Sequence, residues 1–200
     1  MKKLFALLLT ALMALSLIAC SGSKNPEPVK PAEPESPASQ EFETTTPETH
    51  QPATADMKEF GNEVVGYASV PSSWIIVPDE DSDQMQAYSP DYECTITLDV
   101  LSIDTSQFTV EQTASALWNI MEEDEIYDIQ GAKVELIGYE AYQLYGLYKY
   151  EENEYYIVTW VFEDEDGVYR YRCAEGPKDP SADPDIFDTV DYLEGTYRIK

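Results

Sequence analysis

Basic residues are scarce in this chain of 200 residues. Its 12 Lys and Arg residues stand against 39 Asp and Glu residues, which gives a formal net charge of −27 at pH 7. Nucleic acid is therefore excluded as a partner, because binding it requires a basic surface. Anionic lipid headgroups should also repel the chain, whereas cations and basic proteins should be attracted to it.

Histidine is nearly absent. The single histidine, His50, lies in a stretch rich in Pro, Glu, Thr and Ser. A Ser–His or Cys–His nucleophile therefore has no histidine base in the later part of the chain. A His-rich zinc site is excluded for the same reason, and the sequence predicts no cofactor.

Cysteine occurs three times, and two of the three residues fall within strand-like patterns. Cys94 and Cys173 each end an apolar alternation, so both thiols are expected to point into the core. A disulfide between them would close a loop of roughly 80 residues. Such a loop is worth on the order of 4 kcal/mol in the chain-entropy model. The alternative is two buried thiols that pack as small hydrophobes.

A long apolar run occurs only near the amino terminus. Two lysines precede the uncharged residues 4–19, and residues 17–20 read LIAC before small polar residues follow. This layout is typical of a secretory signal, and its last four residues resemble a bacterial lipobox. The resemblance implies that residues 1–19 form a signal peptide that is removed. Cys20 would then become the lipidated first residue, held at the extracytoplasmic face of the membrane by its diacylglyceryl and acyl (palmitate-type) groups.

Two other interpretations of the apolar run remain open. As a retained membrane helix, residues 4–19 would extend roughly 24 Å, which is shorter than the ~30 Å hydrocarbon core of a bilayer. As an ordinary secretory signal, the run would be cleaved with the cysteine playing no part.

Residues 20–57 form a segment dominated by Pro, Glu, Thr and Ser. Its only large apolar side chains are Val29, Phe42 and Met57. This composition buries too little apolar surface to offset the entropy of ordering, so we predict a disordered tether. A proline-rich ligand is the weaker interpretation, because the prolines lack a PxxP motif with basic flanks.

From about Phe60 to Lys200 the pattern is that of an α+β domain. Thr109 and Gln112 fit a capping box for one helix, and Asp183 with Pro184 begins a second helix that Gly195 ends. Strands are predicted at residues 64–70, 74–77, 85–89, 93–101, 134–137, 141–150, 155–162, 168–174 and 196–199.

Three local features refine this prediction. Residues 155–162 are apolar on both faces, which indicates a central strand covered on both sides. Asp166 and Gly167 are a strong hairpin signal. Arg170 and Arg172 share one face of their strand, which is expected to be either wet or paired with carboxylates.

The order of these elements resembles the Mog1/PsbP-like families, including their bacterial lipoprotein relatives. The resemblance rests on residues 70–74 (VPSSW), on residues 134–150, and on Phe187-x-x-Val190 followed by residues 196–199. It implies an α/β/α sandwich around an antiparallel sheet of about six strands, and non-catalytic docking onto a larger assembly. It carries over no catalytic residues.

Acidic residues suggest a calcium site as one alternative. Asp79, Asp81 and Asp83 match the first three ligand positions of a calcium loop. The match then fails, since Gln84 stands where glycine is needed and Pro90 where a bidentate Glu is needed.

Carboxylates and tyrosines suggest a glycan-directed enzyme as another alternative. A glycosidase needs two carboxyl groups some 5 to 10 Å apart, and nothing in the linear order marks such a pair. Strand tyrosines are better explained by core packing than by a glycan platform. They are Tyr142, Tyr148, Tyr150, Tyr155, Tyr156, Tyr169 and Tyr171.

The sequence therefore predicts a lipid-anchored envelope module that is not an enzyme. Its expected partner is another protein of the cell envelope, bound through an exposed surface of tyrosines and carboxylates. The alternatives are a carboxylate-based hydrolase acting on wall glycans, and a calcium- or solute-binding lipoprotein. Solute capture is disfavoured because one small domain lacks the two-lobed hinge of such receptors.

Overall fold

The computed structural model describes residues 42–44, 56–78, 83–103, 105, 107–178 and 185–199. The signal-like run, Cys20, most of the predicted tether and two of the three calcium-loop aspartates lie outside these residues. In chain order the elements are β1 (Glu43–Thr44), β2 (Met57–Asn62), β3 (Gly66–Pro71), β4 (Ile75–Pro78), β5 (Met85–Tyr88), β6 (Thr95–Val100), α1 (Val110–Glu123), β7 (Tyr127–Leu136), β8 (Tyr139–Tyr150), β9 (Asn153–Glu163), β10 (Tyr169–Pro177) and α2 (Asp185–Thr196).

A large sheet organises these elements. Its eight strands lie in the order β1-β7-β8-β9-β10-β6-β5-β4, and β2 pairs with β3 in a separate hairpin. Every pair is antiparallel except β1 with β7, which is parallel. The α+β fold with a large antiparallel sheet is therefore confirmed. The sheet has eight strands where the sequence predicted about six.

The two helices lie on opposite faces of the sheet. On one face, Trp160 of β9 shares the main core with Val70 of β3 and Leu193 of α2. On the other, Gly146 of β8 leaves room for the side chain of Met121 in α1. Strand β9 is buried along nearly its whole length. The prediction of a central strand covered on both sides is thus confirmed.

Helix α1 begins as its sequence predicts. The Thr109 hydroxyl accepts from the Gln112 amide at 3.2 Å, and the Gln112 side chain accepts from the Thr109 amide at 2.9 Å. This reciprocal pair satisfies two of the amides that a helix leaves without partners at its amino end. The inner face of the helix is buried at Ala114, Leu117 and Met121.

Arg170 is buried beside a carboxylate, as expected. Its Nε donates to Asp164 Oδ2 at 2.6 Å, and both side chains are more than 90% buried. Burial by itself raises the pKa of Asp164, but the Val168 amide and the Arg170 guanidinium outweigh that effect and lower it. The ion pair therefore closes the β9–β10 turn, in which Gly167 has a φ of 76°.

The environment of Arg172 differs from the predicted one. Its side chain is fully buried and has backbone carbonyls as its acceptors: Asp99 O at 3.0 Å, Val65 O at 2.7 Å, and Tyr171 O. The guanidinium also lies 3.8 Å from the centre of the Tyr197 ring. Arg172 is therefore neither exposed to water nor paired with a carboxylate. The carbonyl dipoles and the Tyr197 ring compensate for its lost hydration.

The turn between β2 and β3 completes this core. Asn62 Oδ1 accepts from the amides of Val64 and Val65 at 2.8 and 2.9 Å. The Tyr197 hydroxyl donates to Val65 O at 3.0 Å. Gly66, with a φ of 81°, brings the backbone so close to Tyr197 that an added Cβ would overlap its hydroxyl.

Several boundaries differ from the sequence prediction. Strand β2 begins at Met57, the last residue of the predicted tether, and β7 begins at Tyr127, seven residues before the predicted start at Val134. Helix α2 continues through Gly195 to Thr196. The last predicted strand is reduced to a single bridge between Tyr67 and Arg198.

The expected disulfide is not formed, because Cys94 and Cys173 lie on opposite faces of the sheet. Both are buried thiols. Cys173 stands opposite Thr97, whereas Cys94 packs in the main core with Ile96. Cys94 lies three residues along the chain from Thr97, which separates the two cysteine backbones by roughly 10 Å in an extended strand. A disulfide spans no more than ~7 Å between Cα atoms. Only Cys94 faces the main core as predicted.

The cysteine geometry makes a direct prediction for thiol titration. In a Cys20→Ala chain, denatured without reductant, we expect two reactive thiols per molecule, from Cys94 and Cys173. The same chain treated with reductant is the control and should give the same value. A value of zero before reduction would contradict the structure.

The Gly66 turn makes a second prediction, with Gly138 as a matched control. Both glycines have positive φ, but a Cβ at Gly138 would have no atom within 4 Å. Gly138→Ala should lower the free energy of unfolding by about 1–2 kcal/mol, the usual strain of a left-handed residue. Gly66→Ala should cost about 1–3 kcal/mol more, through overpacking against Tyr197. Equal losses in urea unfolding would contradict this account.

Candidate functional site

One row of side chains crosses six strands on the face of the sheet that also carries α1. Because side chains alternate along a strand, residues paired across neighbouring strands share a face. Tyr148 pairs with Tyr155, and Glu175 pairs with Ile157, two residues from Tyr155 on the same face. The row continues through Thr95 and Tyr88 to the last strand. In spatial order it consists of Tyr148 (β8), Tyr155 (β9), Glu175 (β10), Thr95 (β6), Tyr88 (β5) and Ile75 (β4).

Two phenols in this row hold carboxylates. The Tyr148 hydroxyl donates to Glu175 Oε2 at 2.9 Å, and the Tyr155 hydroxyl donates to Glu93 Oε2. The two rings stack on each other with centroids 5.4 Å apart and planes 17° apart. Hydrogen bonds to charged groups and stacked rings both restrict motion, so the carboxylates are held in fixed positions.

The acid–base state of the row follows from burial and from these contacts. Burial raises the pKa of Tyr148, and the charge of Glu175 raises it further. Burial and the hydrogen bond to Glu93 raise the pKa of Tyr155 to about 12. Burial also raises the pKa of Glu175 itself. The phenols therefore remain protonated at neutral pH and act as hydrogen-bond donors.

An exposed apolar rim borders the row. Ile75 is 36% exposed and Val77 is 43% exposed, both on β4. Tyr92 is 49% exposed, and its ring lies 5.9 Å from the ring of Tyr88. We call the row together with Val77, Tyr92 and Glu93 the tyrosine–carboxylate face. Exposed aromatic and aliphatic side chains beside fixed polar groups are typical of protein-binding surfaces.

In a further tyrosine–carboxylate contact, a lysine neutralises the charge of the carboxylate. Tyr127 donates to Glu154 Oε1, and Lys178 Nζ lies 2.6 Å from Glu154 Oε2. The hydrogen bond to Glu154, followed by burial, raises the pKa of Tyr127 to about 12. The contacts with Lys178 and then Tyr127 lower the pKa of Glu154. Glu154 is therefore paired with a lysine, whereas Glu93 and Glu175 are held by tyrosines.

The strand tyrosines fall into two groups. Tyr142, Tyr155, Tyr156, Tyr169 and Tyr171 are buried, as the core-packing interpretation predicts. Tyr148 is half-buried and Tyr150 is exposed. Sequence alternation placed these residues in strands but did not indicate which of them would meet a carboxylate, because that depends on register between strands far apart in the chain.

The other candidates from the sequence add no second site. Cys20, His50, Asp79 and Asp81 lie outside the described residues, while Asp83 is exposed. Among the residues that the structure describes, no group of three or more His, Cys, Asp or Glu side chains could hold a metal ion. No helix in the described part of the chain is long and apolar enough to cross a membrane.

Comparison with known proteins identifies similar folds only. No family model matches the chain, and no curated protein matches it. LpqN of Mycobacterium tuberculosis, a protein involved in cell envelope biogenesis, is 15% identical with a TM-score of 0.49 over 74% of this chain and 92% of LpqN. The Ran-binding protein Mog1p of Saccharomyces cerevisiae is 11% identical with a TM-score of 0.49 over 73% of this chain and 96% of Mog1p.

A protein of Bacteroides thetaiotaomicron gives a similar result. It is 15% identical with a TM-score of 0.50, over 72% of this chain and 48% of that protein. At such low identity, similarity indicates a shared fold and does not transfer a function. The α+β fold with a large antiparallel sheet, which the sequence predicted, is seen directly in the structure of the chain.

Proposed function

We propose that this protein is a lipid-anchored, extracytoplasmic module that binds another protein of the cell envelope and performs no catalysis. The observation that supports this function best is the tyrosine–carboxylate face. Its phenols are protonated donors, its carboxylates are fixed, and its rim is apolar and exposed. These features are those of a surface that recognises a partner rather than one that turns over a substrate.

Charge complementarity suggests the kind of partner. The whole chain has a net charge of −27, and Glu93 and Glu175 lie within the face itself. A partner surface rich in Lys and Arg would be attracted by this field, and its association would weaken as salt screens the charges. We therefore propose a basic surface of an envelope protein as the partner.

Anchoring follows from the amino-terminal sequence. Residues 17–20 read LIAC at the end of the apolar run, and acylation of Cys20 would provide the attachment that an acidic protein cannot obtain from anionic headgroups. Residues 20–41 would then separate the membrane from the folded domain.

The anchor is tested with Cys20→Ala. We expect this change to move the protein from the membrane fraction to the medium, because stable attachment requires the acyl chains. Ser21→Ala retains the cysteine and is the control that should stay in the membrane fraction. Intact mass spectrometry of the unsubstituted protein should show an acylated chain without residues 1–19. Continued membrane association of the Cys20→Ala chain would contradict the proposal.

The docking role is tested with two matched isoleucine changes. Ile75 is 36% exposed and lies in the face, whereas Ile137 is 38% exposed and lies in the turn between β7 and β8. With the soluble Cys20→Ala chain as bait on an envelope extract, Ile75→Lys should reduce capture of a stoichiometric partner at least ten-fold, by adding a charge of the wrong sign to the contact. Ile137→Lys should leave capture unchanged.

Three results would count against this proposal. Equal capture by the Ile75→Lys and Ile137→Lys chains would exclude the face as the contact. Release of soluble sugar fragments from purified wall glycan by the unsubstituted chain would favour the hydrolase instead. Capture that is insensitive to salt would contradict the proposed basic partner.

A further inference from the structure

Strand β7 presents an edge that the described residues pair only in part. It has ten residues, and β1 stands opposite two of them: Glu43 pairs with Ala132, and Thr44 pairs with Lys133. Among the residues that the structure describes, no other segment pairs with that edge, so most of it has no strand partner there. Edge strands with unpaired amides and carbonyls are templates for an added strand.

A notch beside this edge is made by the absence of a side chain. Gly131 lies under the ring of Phe42, and an added Cβ would come within 2.6 Å of Phe42 Cε1 and 3.0 Å of Trp118 Cζ3. The first distance is shorter than real Cβ contacts allow, and the second is tighter than most of them. Glycine at position 131 is therefore what makes room for the ring.

Aromatic walls complete the notch. The Phe42 ring meets Tyr142 edge-on at a centroid distance of 4.9 Å and Trp118 edge-on at 6.5 Å. The Trp118 indole is itself fixed by a hydrogen bond from Nε1 to Glu122 Oε1 at 2.9 Å. Tyr142 is buried and lies beneath the Lys133 ammonium group, 5.0 Å from the ring centre. The notch has the size and chemistry to accept one phenyl ring.

We propose that the β7 edge and this notch form a strand-addition groove, which takes an extended peptide segment carrying a phenylalanine-sized aromatic residue. Residues 42–44 occupy the groove in cis, with Phe42 as the anchor and Glu43 and Thr44 as the added strand. We call this site the edge groove. The inference concerns the domain alone and does not depend on lipidation of Cys20.

The cis segment determines which partners can enter. Because residues 42–44 belong to the same chain, they compete with any partner at a high effective concentration. In the described part of the chain their ladder with β7 has two residue pairs, so a partner segment with an aromatic anchor and a longer ladder can displace them. The edge groove is thus closed at rest and opens to segments that pair along more of β7.

Peptide binding to the full chain tests this inference. The probe is a labelled synthetic peptide of residues 38–48, and its Phe42→Ala form is the negative control. The unsubstituted chain should bind the probe weakly, because its own segment fills the groove. The Phe42→Ala chain should bind it at least ten-fold more tightly, and the control peptide should not bind.

Two glycine substitutions test whether the peptide binds at the notch. In the Phe42→Ala chain, adding Gly131→Ala should abolish binding by filling the notch. Adding Gly138→Ala, where a Cβ meets no atom within 4 Å, should leave binding unchanged. Loss of binding in both double variants, or in neither, would overturn the assignment to the notch.

Hydrogen exchange provides a readout that needs no folded double variant. Amides in segments covering residues 43–44 and 127–136 should exchange more slowly in the unsubstituted chain than in the Phe42→Ala chain. The peptide should restore the slow exchange of residues 127–136 in the Phe42→Ala chain. Identical exchange in the two chains, or equal peptide binding by both, would overturn the proposal.

Discussion

The burial of Arg172 is the constraint on which the rest of the domain depends. A guanidinium removed from water must recover hydrogen bonds within the protein, and here Nη1 and Nη2 do so from carbonyls of β6, β10 and the β2–β3 turn. The Tyr197 ring covers the same cation from the end of α2. Four parts of the chain, of which Val65 and Tyr197 are 132 residues apart, must therefore converge on one point. That convergence fixes the β2–β3 hairpin and α2 on one face of the sheet.

Covering one face in this way leaves the other face available for different purposes. Helix α1 packs there, and Gly146 and Gly131 supply the space that Met121 and Phe42 require. The row of tyrosines and carboxylates crosses the same face, toward β4. The protein thus separates a rigid core, stabilised by buried arginines, from a face whose polar groups are ordered yet partly accessible. Such ordered polar groups beside an apolar rim are what a docking surface needs.

Local sequence patterns predicted the elements that are stabilised by contacts between residues close in the chain. The capping box of α1, the double-sided apolar pattern of β9 and the Asp166-Gly167 turn each involve residues close in the chain, and all three are found. The same reasoning missed β2, which lacks a clean alternation and is stabilised by its pairing with β3 and by the contact between Glu59 and Arg198. It also placed Phe42 in a disordered tether. A lone aromatic residue in a polar stretch was the available signal, but its partner Gly131 lies 89 positions away.

The sequence by itself determined the acidic character, the lipobox-like amino terminus, the order of most strands and helices, and the α+β class, because each depends on composition or on spacing over a few residues. Only the tertiary structure decided that Cys94 and Cys173 face opposite ways, that Tyr148 meets Glu175, and that Phe42 fills the notch over Gly131. The physical reason is strand register. A shift of one residue between paired strands moves every side chain to the other face, and register is set by contacts between distant segments.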